Sequence, residues 1–440
     1  MRMPFKFGAV TMTDLSVVFV QVRFDLPDGR SVEGVGSSVL SPMWFDKSAD
    51  RSYEQKQHGL LRSIALASAG YREAEADNGY GLHQLVQPAV RAQCEAALTS
   101  SFGVAMIDGA LVDGLCRAYG TSLHAGLRDD LFGFGAVPWL PPRPVNRIAL
   151  RHTVGLTDPL VAADVTTPLS DGLPQTLTEV IREYGVTHFK VKISNDVPAN
   201  LERLQGIQSV LVDEIGEGYR LVLDGNEQFA DMAGFTDLLD GMRGDSELRH
   251  LFDRVLWFEQ PVEREAALAE AVDPDLAKPI ILDESDGTDE TVSRALQLGY
   301  AGVSAKNCKG VFRTLHSRRV LAEWEAEHGG PAILAAEDLT HPGVHALQQD
   351  TAVIAALGIE HAERNGHHYV RGLSFLPEAE QAAALRDFPS LYERTADGLV
   401  RLRIDGGYIS TQEICERGYG GEPLLDLDAL ESLDPSCPPC

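Results

Sequence analysis

The most regular feature of the chain is an alternation of short apolar runs with amphipathic segments between about residues 145 and 375. The runs that we interpret as strands are RIALRHTV, HFKVKI, YRLVLDG, RVLWFEQ, PIILDE, AGVSAKN, AILAAED and GIEHAE. The segments between them, such as ANLERLQGIQSVLVDEIG, place apolar residues on one helical face. Strands that alternate with helices predict right-handed β–α–β units and a parallel sheet.

Eight strands in a segment of this length favour a closed α/β barrel. A doubly wound open sheet is the alternative. It is the weaker one, because no glycine-rich phosphate loop follows the first strand.

The segments on either side show different patterns. In residues 1–140, LSVVFVQVRFDLPDGRSVEGVGSSV predicts two strands around a Pro-Asp-Gly-Arg turn, and an Ala- and Leu-rich helical pattern follows. We therefore expect an α+β domain at 1–140, the barrel at 145–375 and a C-terminal segment at 376–440 that packs back on the first domain. The final CPPC (Cys437 to Cys440) is expected to be a disordered tail, with half of an intermolecular zinc site as the alternative.

The acidic composition narrows the choice of partners. The chain has 440 residues, with 38 Lys and Arg against 65 Asp and Glu, a net charge of −27. Nucleic acids and anionic membranes need a basic face, so neither is expected, whereas a small anionic substrate needs only a local cluster of cations. No run resembles a signal peptide or is long enough to cross a membrane, and the 6 cysteines are scattered. We therefore expect a cytoplasmic protein without a disulfide framework.

Three consecutive predicted strands end in a carboxylate. The third ends in Asp224, the fourth in Glu259 and the fifth in Asp283. In a closed barrel these ends meet at one mouth, where three carboxylates repel one another unless a cation lies between them. Hard oxygen ligands suit Mg²⁺. For any one of these residues alone, a helix N-cap is the alternative interpretation.

Three lysines are predicted to face these carboxylates. Lys190 and Lys192 lie in a strand where side chains alternate, so both point to the same side, which we take as the barrel interior. Lys306 ends the sixth strand, opposite the second strand across an eight-stranded barrel. Simple neutralisation of the carboxylates is one interpretation. The other is that a lysine beside a second cation and a metal has a lowered pKa and removes a proton next to a carboxylate, while the metal holds the charge of the enolate.

As a set, these motifs resemble the enolase superfamily, and within it the muconate-lactonizing-enzyme-like subgroup of the mandelate racemase/muconate lactonizing enzyme family. The motifs are KVK (Lys190, Lys192), DGN (Asp224, Asn226), EQP (Glu259, Gln260), DES (Asp283, Glu284) and AKN (Lys306). The resemblance implies a modified (β/α)7β TIM barrel with an α+β N-terminal capping domain that the C-terminal segment completes. It also implies a homo-oligomer, as is usual in the family.

The resemblance also implies a metal site. Asp224, Glu259 and Asp283 would bind one Mg²⁺, and Asn226 and Glu284 would support these ligands from behind.

The lysines take separate roles under the same resemblance. Lys192 would be a general base and Lys306 the acid/base on the opposite face of the substrate, as in other enolase-superfamily sites that pair a lysine base with Mg²⁺. Lys190 would contact the substrate carboxylate and lower the pKa of Lys192.

Three stretches depart from the family's patterns. KNCKGVF has Lys309 and Gly310 where the subgroup often has Lys-x-Gly-Gly. His341 lies several residues beyond the seventh strand, so a strand-end His–Asp dyad is not expected. The eighth-strand stretch IEHAERNGHH lacks the paired aspartates with which dipeptide epimerases of the family hold a substrate amino group.

Four further residues are candidates for substrate binding, namely Arg151, His361, Arg364 and Trp44. Arg364 would pair with a distal carboxylate or hydroxyl. Trp44 would lie on a capping loop, with an ordinary core tryptophan as the alternative. The loosely spaced histidines of the eighth-strand stretch favour a polar loop at the mouth over a second metal site.

The sequence therefore predicts Mg²⁺-dependent abstraction of the α-proton of a small carboxylate substrate. A racemase or epimerase is expected, because two opposed lysines permit proton transfer at one carbon from either face. An acid-sugar dehydratase or a cycloisomerase on the same scaffold is the alternative. A non-catalytic, anion-binding member of the family is the alternative from another class.

Overall fold

A computed structural model describes residues 1–416, 418–421, 426 and 430–432. The CPPC motif lies outside the described residues. The first part of the chain combines short antiparallel sheets with helices. Its strands are β1 (Phe5–Phe7), β2 (Val10–Met12), β3 (Ser16–Asp25) and β4 (Ser31–Leu40), and its helices are α1 (Pro42–Phe45), α2 (Tyr53–Glu73), α3 (Gly79–Arg91), α4 (Ala97–Ala118) and α5 (Leu123–Arg128).

The predicted hairpin is the antiparallel pair β3–β4, which runs from Ser16 opposite Leu40 to Asp25 opposite Ser31. α4 packs against β4 at an unusually short distance. A Cβ atom added at Gly36 would lie 2.2 Å from the carbonyl oxygen of Met106 in α4. Glycine is therefore needed in β4 for steric reasons, since any side chain would separate the helix from the sheet.

α4 corrects one sequence expectation, because it is long and apolar enough to cross a membrane by length and composition. Its apolar window is, however, completely buried inside the fold. Its neighbours are β4, α2 and α3. The apolar surface of α4 is thus covered by protein, as in a core helix.

The barrel contains all eight predicted strands. They are β5 (Arg147–Val154), β6 (His188–Lys192), β7 (Arg220–Asp224), β8 (Val255–Glu259), β9 (Ile280–Leu282), β10 (Gly302–Ala305), β11 (Ile333–Ala336) and β12 (His361–Glu363). Consecutive strands from β5 to β11 pair in parallel, and β12 returns to pair with β5. β11 packs beside β12 and nearly closes the sheet. The predicted α/β TIM-barrel class is confirmed.

The connections between these strands carry the helices α6 (Leu177–Tyr184), α7 (Val197–Ile215), α8 (Met232–Gly244), α9 (Ser246–Asp253), α10 (Glu290–Gln297), α11 (Val311–His328) and α12 (His345–Ala356). The connection from β8 to β9 differs, since it has a 3₁₀ turn at Ala266–Leu268 in place of an α-helix. Pro274 and Pro279 follow in this stretch and oppose a longer helix.

The remaining elements are α13 (Gly366–Tyr369), α14 (Glu378–Asp387), β13 (Tyr392–Arg394), β14 (Val400–Leu402), β15 (Tyr408–Ser410) and α15 (Gln412–Glu416). β15 pairs antiparallel with the first half of β5, with Ile409 opposite Ile148. Gly418 pairs with Ser122 of the first region. The C-terminal segment therefore contacts both the barrel and the first region, and one apolar core runs through all three. The domain boundaries stay a prediction.

Candidate active site

The parallel register aligns charged residues at the carboxyl ends of the barrel strands. Lys192 on β6 lies opposite Asp224 on β7, and Asp224 lies opposite Glu259 on β8. The strand ends together bring eight buried charged residues to one mouth. This acid–lysine cluster consists of Lys190, Lys192, Asp224, Glu259, Asp283, Lys306, Glu337 and Glu363.

Lys190 points into the barrel interior among four carboxylates. Its Nζ lies 2.6 Å from Glu337 Oε2 and 2.8 Å from Glu259 Oε1. Glu363 Oε2 lies at 2.8 Å and Asp224 Oδ2 at 2.9 Å. Burial alone disfavours the ammonium, but the carboxylates outweigh it and raise the pKa of Lys190 well above its ordinary value. Lys190 therefore stays protonated, and its ammonium group links the ends of four strands.

Lys192 and Lys306 stand on opposite sides of the barrel. β6 and β10 are separated by β7, β8 and β9 along the sheet. Lys192 Nζ lies 2.6 Å from Asp224 Oδ2. Lys306 Nζ lies 2.5 Å from Asp283 Oδ2 and 3.0 Å from Glu337 Oε2. The two ammonium groups therefore approach the cluster from opposing strands.

The neighbouring carboxylates control the pKa of Lys306. Burial by itself lowers it, but the carboxylates of Asp283 and Glu337 outweigh burial and raise the pKa of Lys306 well above its ordinary value.

The carboxylates themselves divide into two kinds. Burial opposes the charge of Asp224, yet the ammonium groups of Lys190 and Lys192 lower the pKa of Asp224 to about 2. Burial and the neighbouring Glu337 carboxylate raise the pKa of Glu259 well above its ordinary value. A nearby cation would stabilise the charged form of a buried acid whose pKa is raised in this way.

The carboxylates of the cluster fit a divalent metal ion. The three that lie closest together differ in part from the three predicted ligands. Glu259, Asp283 and Glu337 each offer one carboxylate oxygen, and these atoms lie within 4.8 Å of one another. Among the described residues, Glu259 Oε2 has no hydrogen-bond partner although it is buried. Hard oxygen donors of this kind suit Mg²⁺. Asp224 is not one of these three, but it shares the Lys190 ammonium with Glu259.

Asn226 and Glu284 lie directly behind the carboxylates. Asn226 Nδ2 donates to Asp224 Oδ2 at 3.3 Å and to Glu284 Oε1 at 3.1 Å. Burial and the adjacent Asp283 raise the pKa of Glu284 to about 7. The Asn226 side chain therefore links the end of β7 to the residue that follows Asp283.

Glu337 and Glu363 are the cluster residues that the sequence analysis missed. Both lie at or directly after the end of a barrel strand, β11 and β12. The signal was present, because AILAAED and GIEHAE also place a carboxylate after an apolar run. Applying the strand-end rule to all eight strands, and not to three, would have found them.

Lys309 belongs to the loop that departs from the family pattern. Its Nζ donates to the carbonyl oxygens of Ser304 at 2.8 Å and Asp283 at 2.9 Å. Lys309 therefore holds the backbone of Asp283 against β10.

A cavity of about 360 Å³, counting its open mouth, lies next to the cluster. Its lining residues are Phe5, Phe7, Met12, Ser41, Trp44, Lys192, Asn226, Lys306, Asp338, Leu339, Thr340, Glu363 and Asn365. The N-terminal strands thus cover the barrel mouth. Trp44 lines the cavity, with Lys306 Nζ 4.7 Å from its ring centroid, and is at the same time part of a buried apolar cluster.

A half-buried ion network holds the segment that carries Trp44 in place. Glu227 accepts hydrogen bonds from Arg264 Nε at 2.7 Å and Nη2 at 2.9 Å. Lys47 Nζ lies 2.9 Å from the same carboxylate. Arg264 also donates to the carbonyl oxygen of Phe45 at 3.3 Å. These contacts therefore connect the segment that carries Trp44 to the loop that follows β8.

The other three substrate-binding candidates do not line the cavity. Arg151 is fully buried and pairs with Glu337 at 3.2 Å. His361 stacks on Trp257 deeper in the barrel, at 5.5 Å between ring centroids. Arg364 pairs with Asp338 at 3.2 Å. Their geometry supports positioning of other side chains and gives no support to substrate contact.

The remaining histidines near the eighth strand are buried, which corrects the expected polar loop at the mouth. His367 Nε2 lies 3.1 Å from His152 Nδ1, and His368 packs against the His152 ring. Burial lowers the pKa of His152 to about 3. Neutral, closely packed rings explain how three histidines share one site.

His341 does have an acidic partner, although no strand-end dyad was expected. Its Nδ1 lies 2.9 Å from Asp350 Oδ2, and both residues are buried away from the cavity lining. With Asp338 they form a second group that offers ligand atoms for a metal ion. Arg364 already contacts Asp338 and Asp350, at 3.2 and 3.7 Å, so its guanidinium offsets one of the two negative charges of this group.

The fold and the cluster define a capped parallel barrel of the enolase type. Residues 173–357 match the family model described as enolase C-terminal domain-like, and this part of the chain belongs to that family. The resemblance drawn from the motifs is thereby confirmed. No curated protein sequence gives a significant match.

Solved structures with the same fold are enzymes of low sequence identity. A dipeptide epimerase from Cytophaga hutchinsonii, complexed with Mg and the dipeptide D-Ala-L-Val, is 15% identical with a TM-score of 0.61, covering 98% of this chain and 94% of that one. A muconate lactonizing enzyme from Pseudomonas fluorescens, complexed with muconolactone, is 16% identical with a TM-score of 0.60, covering 95% and 91%. An N-succinyl Arg/Lys racemase from Bacillus cereus is 15% identical with a TM-score of 0.56, covering 93% and 92%.

Proposed function

We propose that this protein is a Mg²⁺-dependent racemase or epimerase that transfers the α-proton of a small carboxylate substrate. The observation that carries the proposal is that Lys192 and Lys306 border one cavity from opposite barrel strands, beside a cluster of buried carboxylates. Two opposed bases are the arrangement that inversion at one carbon requires. The names of the structural relatives, which include a racemase and an epimerase, agree with this reaction class.

The chain's own residues divide the work of proton transfer. Lys192 takes the α-proton from one face, and Lys306 delivers a proton to the other face. Lys190 stays charged, because four carboxylates surround it, and it keeps the strand ends in register. The aromatic rings of Phe7 and Trp44 cover the two reacting lysines and exclude water from them.

The metal ion would be held by Asp224, Glu259 and Asp283, with Asn226 and Glu284 supporting them. A bound Mg²⁺ would share the carboxylates that contact the lysines, lower the lysine pKa and stabilise negative charge that develops on the substrate carboxylate. Glu337 is held by three cations, Lys190, Lys306 and Arg151, so we assign it to positioning.

The apolar part of the cavity lining favours racemisation over dehydration of acid sugars. A sugar acid carries several hydroxyl groups, each of which needs a hydrogen-bond partner when it is buried. Four of the lining side chains, Phe5, Phe7, Met12 and Leu339, offer no such partner, and Trp44 offers only its indole N–H. A homo-oligomer and a cytoplasmic location stay predictions.

The proposal is tested by proton exchange. The protein is incubated in D₂O with Mg²⁺ and a library of chiral carboxylic acids, including amino-acid derivatives, dicarboxylates and sugar acids. We expect deuterium at the α-carbon together with loss of optical activity, both abolished by EDTA. Loss of water from a sugar acid would instead assign the dehydratase, and bound Mg²⁺ without any exchange would assign the anion-binding alternative.

Single-lysine variants test the two-base assignment. Lys192→Ala and Lys306→Ala should each abolish racemisation, whereas each can retain deuterium exchange of one enantiomer only, because one base remains. Lys278→Met, outside the cavity, is the control and should keep wild-type activity. Undiminished racemisation in either alanine variant would refute the two-base mechanism.

A further inference from the structure

A second group of buried charged residues lies outside the acid–lysine cluster. It consists of Asp338 and His341, in the loop after β11, and Asp350 in α12. Each of the three is at most 5% exposed. Each offers one ligand atom, and these atoms lie within 4.8 Å of one another. We call these three residues the Asp–His group.

Backbone amides orient both carboxylates of the Asp–His group. Asp338 Oδ1 accepts a hydrogen bond from the N–H of Thr340 at 2.9 Å, and Asp350 Oδ1 accepts one from the N–H of Asn307 at 3.2 Å. The second oxygen of each carboxylate, Oδ2, is buried and has no hydrogen-bond partner among the described residues. A buried oxygen without a partner is costly, and it indicates a bound water molecule or ion. Each carboxylate is therefore held in place with one oxygen available to a ligand.

His341 adds a nitrogen donor to the two oxygens. Its ring is buried, and neither ring nitrogen has a hydrogen-bond partner within the part of the chain that the structure describes. Its Nδ1 lies 2.9 Å from Asp350 Oδ2, yet the two atoms are not aligned for a hydrogen bond. A ring nitrogen and two carboxylate oxygens that lie close together without hydrogen bonds between them fit a shared cation.

The charges of the group also favour a cation. Arg364 Nη1 lies 3.2 Å from Asp338 Oδ2 and 3.7 Å from Asp350 Oδ2, and it offsets only one of the two negative charges. Burial raises the pKa of Asp338 in spite of the Arg364 guanidinium. Burial lowers the pKa of His341, but the Asp350 carboxylate outweighs it and raises this pKa. Both shifts favour the binding of positive charge within the group.

From this geometry we propose that Asp338, His341 and Asp350 bind a divalent transition-metal ion, with Zn²⁺ as the best match, at a site separate from the acid–lysine cluster. One imidazole nitrogen with two carboxylate oxygens suits Zn²⁺, whereas a set of oxygen donors alone suits Mg²⁺. The two sites therefore select different ions. The proposal is independent of the proposed function, because none of the three residues is assigned to proton transfer or to Mg²⁺ binding.

The ion would hold one wall of the cavity in place. Asp338, Leu339 and Thr340 line the cavity, and they belong to the same loop as His341. Asp350 belongs to α12, on the far side of that loop. An ion shared by these elements would connect the loop after β11 to α12, and its binding energy would add to the stability of the folded protein. The role of the site is therefore structural.

Metal-binding measurements on matched variants test the site. The full chain is stripped of metal with EDTA, equilibrated with Zn²⁺ and an excess of Mg²⁺, and separated from unbound ions by gel filtration. Elemental analysis should find about one Zn²⁺ per chain, and His341→Gln and Asp350→Asn should each weaken Zn²⁺ binding at least about tenfold. The control is His83→Gln, since His83 Nδ1 lies 2.8 Å from Asp108 Oδ2 in another buried His–Asp pair, and it should keep the wild-type affinity. Asp283→Asn, at the acid–lysine cluster, should also retain Zn²⁺.

X-ray absorption at the zinc edge identifies the ligands in the wild-type protein, so it decides the matter even if a variant fails to fold. We expect one histidine nitrogen together with oxygen ligands. Oxygen ligands alone, or loss of Zn²⁺ in Asp283→Asn, would assign the ion to the acid–lysine cluster. Sulfur ligands, at about 2.3 Å, would assign it to the CPPC motif. Either result, or a wild-type protein that binds no Zn²⁺, would overturn the proposal.

Discussion

At the scale of single residues, alternation along one strand was enough to predict that Lys190 and Lys192 face the barrel interior. The same local rule located the strand-end carboxylates. It could not predict the partners of each lysine, because those come from strands that are distant in sequence. Lys190 illustrates this: two of its four partners, Glu337 and Glu363, come from the ends of the seventh and eighth barrel strands, far from Lys190 in sequence.

At this scale we predict that Asp224 is the third metal ligand, beside Glu259 and Asp283. Asp224→Asn keeps the shape of the side chain and removes its charge, so Mg²⁺ affinity measured by isothermal titration should fall by at least about tenfold. Glu337→Gln is the matched variant and should cost less, because Lys190, Lys306 and Arg151 already neutralise Glu337. The reverse order of the two losses would transfer the ligand role to Glu337.

At the scale of elements, the periodicity of the chain predicted the barrel strands and the β3–β4 hairpin. Periodicity could not predict the contact between β4 and α4, because this contact depends on two backbone segments that meet only in the folded protein. Gly36 could have signalled it only as an unexplained glycine within a strand. In the structure, the space for its missing side chain is occupied by the backbone of α4.

Substitution in this contact should therefore destabilise the protein. Gly36→Ala would place a methyl group 2.2 Å from the Met106 carbonyl oxygen and should lower the free energy of unfolding in urea by about 1–3 kcal/mol. Gly109→Ala, in α4 itself, is the control. Its added Cβ would be no closer than 3.7 Å to any neighbour, and helix propensity should make this variant neutral or more stable by up to about 1 kcal/mol. Equal effects of the two substitutions would argue against a steric contact.

At the scale of the whole molecule, the protonation state of a buried histidine depends on whether a carboxylate lies beside it. His83 and His341 are buried, yet the neighbouring carboxylates of Asp108 and Asp350 raise the pKa of each. Among the described residues no carboxylate plays this part for His345: burial, with a smaller effect from Arg117, lowers the pKa of His345 to about 4. Histidines of the second kind must be neutral in the folded protein.

Acid should therefore weaken the fold through His345. Its pKa is lower in the folded than in the unfolded chain, so the unfolded chain binds more protons between pH 4 and about 6.5. Its stabilising contribution is complete above about pH 6.5 and falls by about 1.4 kcal/mol per pH unit below it. Urea unfolding at pH 7.5 and 5.0 should show a loss that is about 2 kcal/mol smaller in His345→Gln than in the wild type. His250→Gln, at an exposed position, should retain the wild-type loss; an identical loss in all three proteins would contradict the prediction.

The sequence by itself determined the class of fold, the barrel strands and the family, because hydrophobic periodicity and strand-end motifs are local properties of the chain. It also proposed Asp224, Glu259, Asp283 and the three lysines as one site. The tertiary structure decided which charges pair, that Glu337 and Glu363 join the cluster, and that the N-terminal strands and Trp44 cover it. It also placed Arg151, His361 and Arg364 outside the cavity lining. These features depend on distances between segments far apart in the chain, and such distances are set only when the apolar core packs.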